Sequence, residues 1–161
     1  MTTTRLLVST DQQFSDYRQA LAHISATLLA AGIVTPGYGA ALEARETQYP
    51  TGISLERHAV AIPHCEAEHA LEPAIYLLRL AQPVEFRQAD GDDMVAVRLI
   101  IALVVTHPTE QLRLLRTLFG RLQDPALVEG LLTTDAPSLG RVFRQSIFNE
   151  NQKNEESHCE T

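Results

Sequence analysis

Residues 95–105, Val-Ala-Val-Arg-Leu-Ile-Ile-Ala-Leu-Val-Val, are apolar at every position but Arg98. Such a run reads as a strand at the centre of a sheet, covered on both faces. Ala59, Val60, Ala61 and Ile62 form a second, shorter stretch of the same kind, and strands are also predicted at residues 74–80 and 84–86, with a turn at Asp90-Gly91. Between these lie helical signals. Phe14, Tyr17, Leu21, Ile24 and Leu28 recur at steps of three and four, predicting a helix that packs one face and stops at Gly32. Thr35-Pro36 reads as the cap and first turn of a second helix, which carries Leu42 inward and ends before Tyr49-Pro50. Thr106 or His107 with Pro108 opens a helix bearing Leu112, Leu115, Leu118 and Leu122. Asp124-Pro125 opens a short one, and residues 135–148 supply the last. Strands alternating with helices predict an α/β fold, a single-domain layer sandwich. Its central sheet is expected to be mixed, because residues 74–105 also carry hairpin signals, with helices on both faces.

The stretch Arg-His-Ala-Val-Ala-Ile-Pro-His-Cys-Glu-Ala-Glu-His at residues 57–69 is where chemistry is expected. Pro63 fixes its own φ and pushes Ile62 toward extended geometry, so the buried strand hands over to His64 as a rigid lead. Strand ends are where open α/β sheets carry their sites. An imidazole there can serve as base, metal ligand or nucleophile, since it offers a neutral nitrogen near pH 7. Spacing does not choose among these.

Composition narrows the classes. A chain of 161 residues suits one domain that buries roughly 70% of its unfolded surface. Thirteen Lys plus Arg against 20 Asp plus Glu, a net charge of −7, argue against a nucleic-acid or anionic-membrane surface. The two cysteines, Cys65 and Cys159, show no disulfide framework, and a reducing cytoplasm is expected. The N-terminus lacks a basic region followed by an apolar stretch. No segment approaches about 18 uninterrupted apolar residues, so neither export nor membrane spanning is expected.

The runs Glu43-Ala44-Arg45-Glu46, Thr51-Gly52-Ile53 and Ala59-Val60-Ala61-Ile62-Pro63-His64 together resemble the enzyme IIA domain of the mannitol/fructose class of the phosphoenolpyruvate-dependent sugar phosphotransferase system. Downstream, Leu99-Ile100-Ile101-Ala102-Leu103 and the helix Gln111-Leu112-Arg113-Leu114-Leu115-Arg116-Thr117-Leu118 resemble that family's second block. The similarity spans roughly residues 10–148. The Glu56-Arg57-His58 lead-in, the His64-Cys65-Glu66-Ala67 exit and the Gln111 opening are most similar to the galactitol-specific branch.

The resemblance implies a phosphoryl relay. His64 would accept the group from phospho-HPr, the small phosphohistidine carrier, and yield it to a cysteine on the cognate enzyme IIB, beside a membrane-bound enzyme IIC. No cofactor and no metal is implied, because in-line transfer needs mainly positioning and electrostatic stabilisation. Arg45, matched to the family's active-site arginine, would pair with the phosphoryl oxygens through its planar fork. Thr51 would support it as a hydroxyl donor or by shaping the turn. Gln111 departs from the histidine with which many members open that helix; its amide can donate a hydrogen bond but carries no charge.

Bland readings stand beside these. Arg45-Glu46 by itself matches a solvated helical face, and Thr51-Gly52 matches an ordinary turn pair. A regulatory enzyme IIA of the nitrogen type would keep His64. A metal-binding module would use His58, His64, His69 and Cys65, although an extended strand separates His58 from His64 by roughly 20 Å. Cys65 as nucleophile with His64 as base is disfavoured, because adjacent residues on extended backbone point apart. His23 reads as structural and His107 as part of a helix start. Residues 149–161 contain no aliphatic or aromatic residue and are expected to form a disordered polar tail beyond a domain at 1–148. Within it His158 and Cys159 are two adjacent ligands only, short of what a stable metal site needs.

Overall fold

The computed structural model describes residues 4–149. The expected tail, with His158 and Cys159, lies outside the described residues apart from Asn149. The elements run β1 (Arg5–Ser9), α1 (Tyr17–Ala30), α2 (Tyr38–Gln48), β2 (Gly52–Ser54), β3 (Ala59–Ala61), β4 (Ala74–Arg87), β5 (Met94–Val104), α3 (Pro108–Leu122), α4 (Pro125–Thr133) and α5 (Leu139–Arg144). A π-helical turn, Gln145–Asn149, follows α5.

The strands form one mixed sheet in the order β1-β4-β5-β3-β2. The apolar run at residues 95–105 becomes β5, the central strand, antiparallel to β4 and parallel to β3. Period-two alternation sends its side chains to two cores. Ile100, Ala102 and Val104 join Tyr76 and Leu78 of β4 under Leu21, Ile24 and Leu28 of α1 and Leu42 of α2. Leu99, Ile101 and Leu103 join Ile75 and Leu77 on the opposite face, beneath Leu118 and Leu122 of α3, Val128 and Leu131 of α4, and Phe143. Both faces are covered by helices, which is why β5 carries almost no polar residue.

Several boundaries differ from the sequence reading for identifiable reasons. The segments expected at 74–80 and 84–86 are one strand, β4, whose register against β5 shifts between Arg79 and Val84. Pro83, with no N–H to donate, sits in that irregularity. Thr35 does not cap α2 with its side chain. The helix begins at Tyr38 without a side-chain cap, and the Thr35 backbone is used instead, donating to the His69 carbonyl and accepting from Tyr38 N–H. The last helical region is broken into a 3₁₀ turn at Ala136–Ser138, α5 and the π turn. Strands β1 and β2 were not anticipated. Gly32, at φ 75°, ends α1 as expected; that left-handed backbone suits glycine. Among the described residues no helix is long and apolar enough to cross a membrane.

Candidate functional site

Strand β3 ends at Ala61, and Ile62-Pro63 then carry the chain out of the sheet to His64. Backbone bonds hold this exit. Ile62 N–H donates to the Thr51 carbonyl at 3.3 Å, and Leu103 N–H of β5 donates to the Pro63 carbonyl at 3.0 Å. The half-buried imidazole turns back on the same segment: its Nδ1 lies 2.7 Å from the Ile62 carbonyl oxygen. A carbonyl oxygen only accepts, so Nδ1 carries the proton and Nε2 keeps its lone pair. The group that orients His64, unreadable from the sequence, is therefore a backbone carbonyl two residues upstream.

Burial lowers the pKa of His64 from its ordinary 6.5, and the Arg45 guanidinium adds to the lowering, while the Ile62 bond and Glu66 act the other way. The net direction keeps the ring neutral at physiological pH. A neutral imidazole with a fixed tautomer and an unpaired Nε2 is equipped for nucleophilic attack.

Three of the four residues singled out from the sequence meet around one pocket of about 160 Å³: Arg45, Thr51 and His64 line it with Tyr49, Pro50, Ile53, Ile62, Leu115 and Phe119. Arg45 occupies the last turn of α2. Its guanidinium stands over the Tyr49 ring at 5.0 Å and reaches Glu66 at 3.3 Å. Gln111, in the first turn of α3, donates from Nε2 to the Cys65 carbonyl at 3.3 Å and so ties that helix to the residue after His64. Apolar surface rims the pocket, with Tyr49 and Phe119 each more than two-fifths exposed. Thr51 is buried, and its hydroxyl donates to Glu46 Oε1 at 2.7 Å.

Glu46 is the residue that the sequence reading passed over. Beside Arg45 it looked like part of a solvated face; it is 4% exposed. Burial raises its pKa, opposed by two hydrogen bonds from Thr51. The signal available was its position: four residues after Leu42, it falls on the inward face of α2.

The competing chemistry is not assembled here. Cys65 is buried, and its thiol is pushed up to about 12, chiefly by burial, which leaves it a poor nucleophile near neutrality. His58 meets Glu129 at 2.6 Å, and His23 meets the Tyr76 hydroxyl at 2.7 Å. His107 precedes α3 and lines a separate cavity with Thr4, Pro73 and Phe148. Among the described residues no three of His, Cys, Asp and Glu are grouped to hold a metal ion.

Comparison with known proteins gives a consistent picture. Residues 1–144 match the family model described as phosphoenolpyruvate-dependent sugar phosphotransferase system, EIIA 2. The chain is 48% identical over 149 residues to the galactitol-specific EIIA component of the phosphotransferase system in Escherichia coli K12, covering 92% of this chain and 99% of that protein. Among solved structures, IIA mannitol from Escherichia coli superposes with a TM-score of 0.69 at 22% identity, covering 84% of this chain and 94% of that one. Enzyme IIA mannitol in its complex with phosphorylated enzyme IIB mannitol from the same species gives a TM-score of 0.67 at 21% identity, covering 84% and 92%. At these identities the structural matches speak for the fold.

Proposed function

The chain belongs to the EIIA type 2 family of the phosphoenolpyruvate-dependent sugar phosphotransferase system, and from that premise we propose that His64 is its phosphoryl acceptor and Arg45 the cation that stabilises the transferring group. The family's members are phosphotransferase components that work through a phosphohistidine. The observation that carries the assignment is the pairing of His64 Nδ1 with the Ile62 carbonyl inside the pocket that Arg45 lines.

Attack begins from Nε2. Its lone pair forms the new N–P bond as the donor's N–P bond breaks, and the electron pair of the broken bond returns to the donor imidazole. Positive charge grows on the His64 ring, and the Nδ1–H bond to the Ile62 carbonyl strengthens with it. Arg45 faces the negative charge spread over the phosphoryl oxygens and remains ionised throughout. Once the donor departs, the apolar rim of Ile53, Ile62, Leu115 and Phe119 limits access of water to the phosphoramidate. The second transfer repeats the geometry in reverse, with a thiolate of enzyme IIB as nucleophile. Gln111 fixes the backbone at Cys65, and Thr51 shapes the pocket wall; neither supplies charge.

We assign phospho-HPr as donor, the cognate enzyme IIB as acceptor, a cytoplasmic working site beside the membrane-bound enzyme IIC, and a galactitol-type polyol as the sugar served. The sugar rests on the 48% identity with the galactitol-specific component over nearly the whole chain. The domain is taken as residues 1–148. The test is incubation with phosphoenolpyruvate, enzyme I and HPr, followed by intact mass. One phosphoryl group should be gained, labile in acid and stable in base, retained in Cys65→Ser and lost in His64→Gln. Labelling of His64→Gln at the parent rate, or a base-labile adduct, would refute the site. Transfer onward to a galactitol-specific enzyme IIB, and not to a mannitol-specific one, would establish the sugar branch; the reverse preference would refute it.

A further inference from the structure

Behind the His64 pocket lies a buried carboxylate that the transfer itself does not use. Glu46 receives two hydrogen bonds from one residue: Thr51 N–H donates to Oε2 and the Thr51 hydroxyl donates to Oε1, both at 2.7 Å. A carboxylate this buried survives only with such partners, and these partners sit at a consequential place in the sheet.

Strands β2 and β3 pair antiparallel through Gly52↔Ala61, Ile53↔Val60 and Ser54↔Ala59. The same register sets Thr51 opposite Ile62, and the pair beyond it is Pro50 opposite Pro63, neither of which has an N–H. Thr51 and Ile62 thus form the last rung. In an antiparallel ladder, alternate opposed residues exchange two hydrogen bonds, N–H to carbonyl in each direction. The rung between Leu55 and His58 is of the bonded kind, with Leu55 N–H donating to the His58 carbonyl; two alternations along the ladder, Thr51 and Ile62 are bonded again. Here only one of the two bonds is made, Ile62 N–H to the Thr51 carbonyl at 3.3 Å. The other is split between two side chains. Thr51 N–H goes to Glu46, and the Ile62 carbonyl goes to His64 Nδ1.

We propose that Glu46 is a positioning residue of the phosphoryl transfer: by drawing Thr51 N–H out of the last rung it leaves the Ile62 carbonyl to His64 Nδ1–H, holding the imidazole in the tautomer whose Nε2 attacks. The inference rests on His64 being the acceptor. Arg45 and Glu46 are neighbours in the last turns of α2, so one helical segment sets both the guanidinium beside the phosphoryl group and the orientation of the ring. Replacing Glu46 by an apolar side chain frees Thr51 N–H to complete the rung. It then competes with His64 for the carbonyl.

The test reads the tautomer directly. In the unphosphorylated parent, on the alkaline side of the His64 titration, ¹⁵N shifts should show a protonated Nδ1 and a pyridine-like Nε2. In Glu46→Leu, which keeps the volume of the side chain, the two nitrogens should move toward averaged shifts. Acceptance from phospho-HPr should slow by about tenfold or more, within the roughly hundredfold that a misplacement of about 1 Å can cost. Glu46→Gln should restore the parent tautomer and a rate within about threefold, since its carbonyl accepts Thr51 N–H and its amide donates to the Thr51 hydroxyl oxygen. A folded Glu46→Leu with the parent tautomer or the parent rate overturns the proposal. If Glu46→Leu does not fold, Glu46→Gln decides: it too presents an acceptor to Thr51 N–H, so a parent fold with a lost tautomer overturns it and a retained tautomer supports it. Labelling that persists in His64→Gln would instead overturn the acceptor assignment, whatever the ¹⁵N shifts show.

Discussion

Replacing Arg45 by glutamine separates catalysis from stability, because the contacts of this side chain are of unequal worth. Its ion pair with Glu66, at 3.3 Å, joins side chains that are 34% and 53% exposed, and an exposed pair is worth roughly 0.2–1 kcal/mol. The guanidinium over the Tyr49 ring at 5.0 Å adds about 0.5–1 kcal/mol at an exposed site. The folded state therefore loses no more than about 1–2 kcal/mol in Arg45→Gln. Against that, a donor aimed at charge that develops only in the transition state is worth about 3 kcal/mol, a slowing on the order of 100-fold.

A second effect follows from the same geometry. Burial is the main cause of the lowered His64 pKa, and Arg45 adds to it. As the proposed acceptor, His64 must be neutral to attack, so acceptance is expected to be lost as pH falls through its folded pKa. Without the cation at Arg45 that pKa rises, and the acid limb of the rate profile moves to higher pH. Single-turnover quench measurements with one preparation of phospho-HPr across about pH 5 to 8, the window in which histidine changes charge, cancel the donor's own titration between parent and variant. Arg45→Lys should recover part of the rate, since it restores charge without the planar fork. A folded Arg45→Gln with the parent rate and the parent acid limb would refute the reasoning, because the guanidinium would then face neither the phosphoryl group nor the ring.

Gln111→His should add a second, coupled ionisation to that profile, because Gln111 reaches the Cys65 carbonyl beside His64 and a cation there would lower the His64 pKa and favour the bound phosphoryl group at mildly acidic pH; superimposable profiles would mean that the side chain at position 111 does not sense His64. Gly52→Ala should destabilise by about 1–3 kcal/mol, since the added Cβ would lie 2.6 Å from the Arg87 carbonyl oxygen and 3.0 Å from Val95 Cγ2. Its denaturant midpoint checks this, and a parent midpoint would show that β2 can move away from Arg87 at no cost.

Much of the molecule was legible before any coordinates. The apolar run that became β5, the three-and-four spacing of α1, the Pro-opened helices α3 and α4, and the rigid Ile62-Pro63-His64 exit all follow from local patterns, because burial on one face or two leaves a periodic trace in the chain. The mixed sheet with helices on both faces followed from the order of those patterns. The edge strands did not. Residues of β1 alternate only weakly in burial, and β2 is three residues long; their strand character comes from β4 and β3 lying alongside them.

The same division runs through the site. His64 announces itself by the proline before it and the strand before that, whereas the carbonyl that selects its tautomer is a backbone atom with no identity in the sequence. Arg45 and Glu46 look alike on paper, two adjacent charges near a helix end. Only the packed position of α2 sends one to a half-open pocket and the other into the core. Local sequence thus determined which segments are strands or helices and which side chain is delivered at a strand end, because those depend on neighbours a few residues away. Tertiary structure alone decided that Arg45 meets Glu66, 21 residues on, and that Gln111 meets Cys65, 46 residues back. A hydrogen bond requires two groups within about 3 Å, and which groups those are is set by how the elements pack.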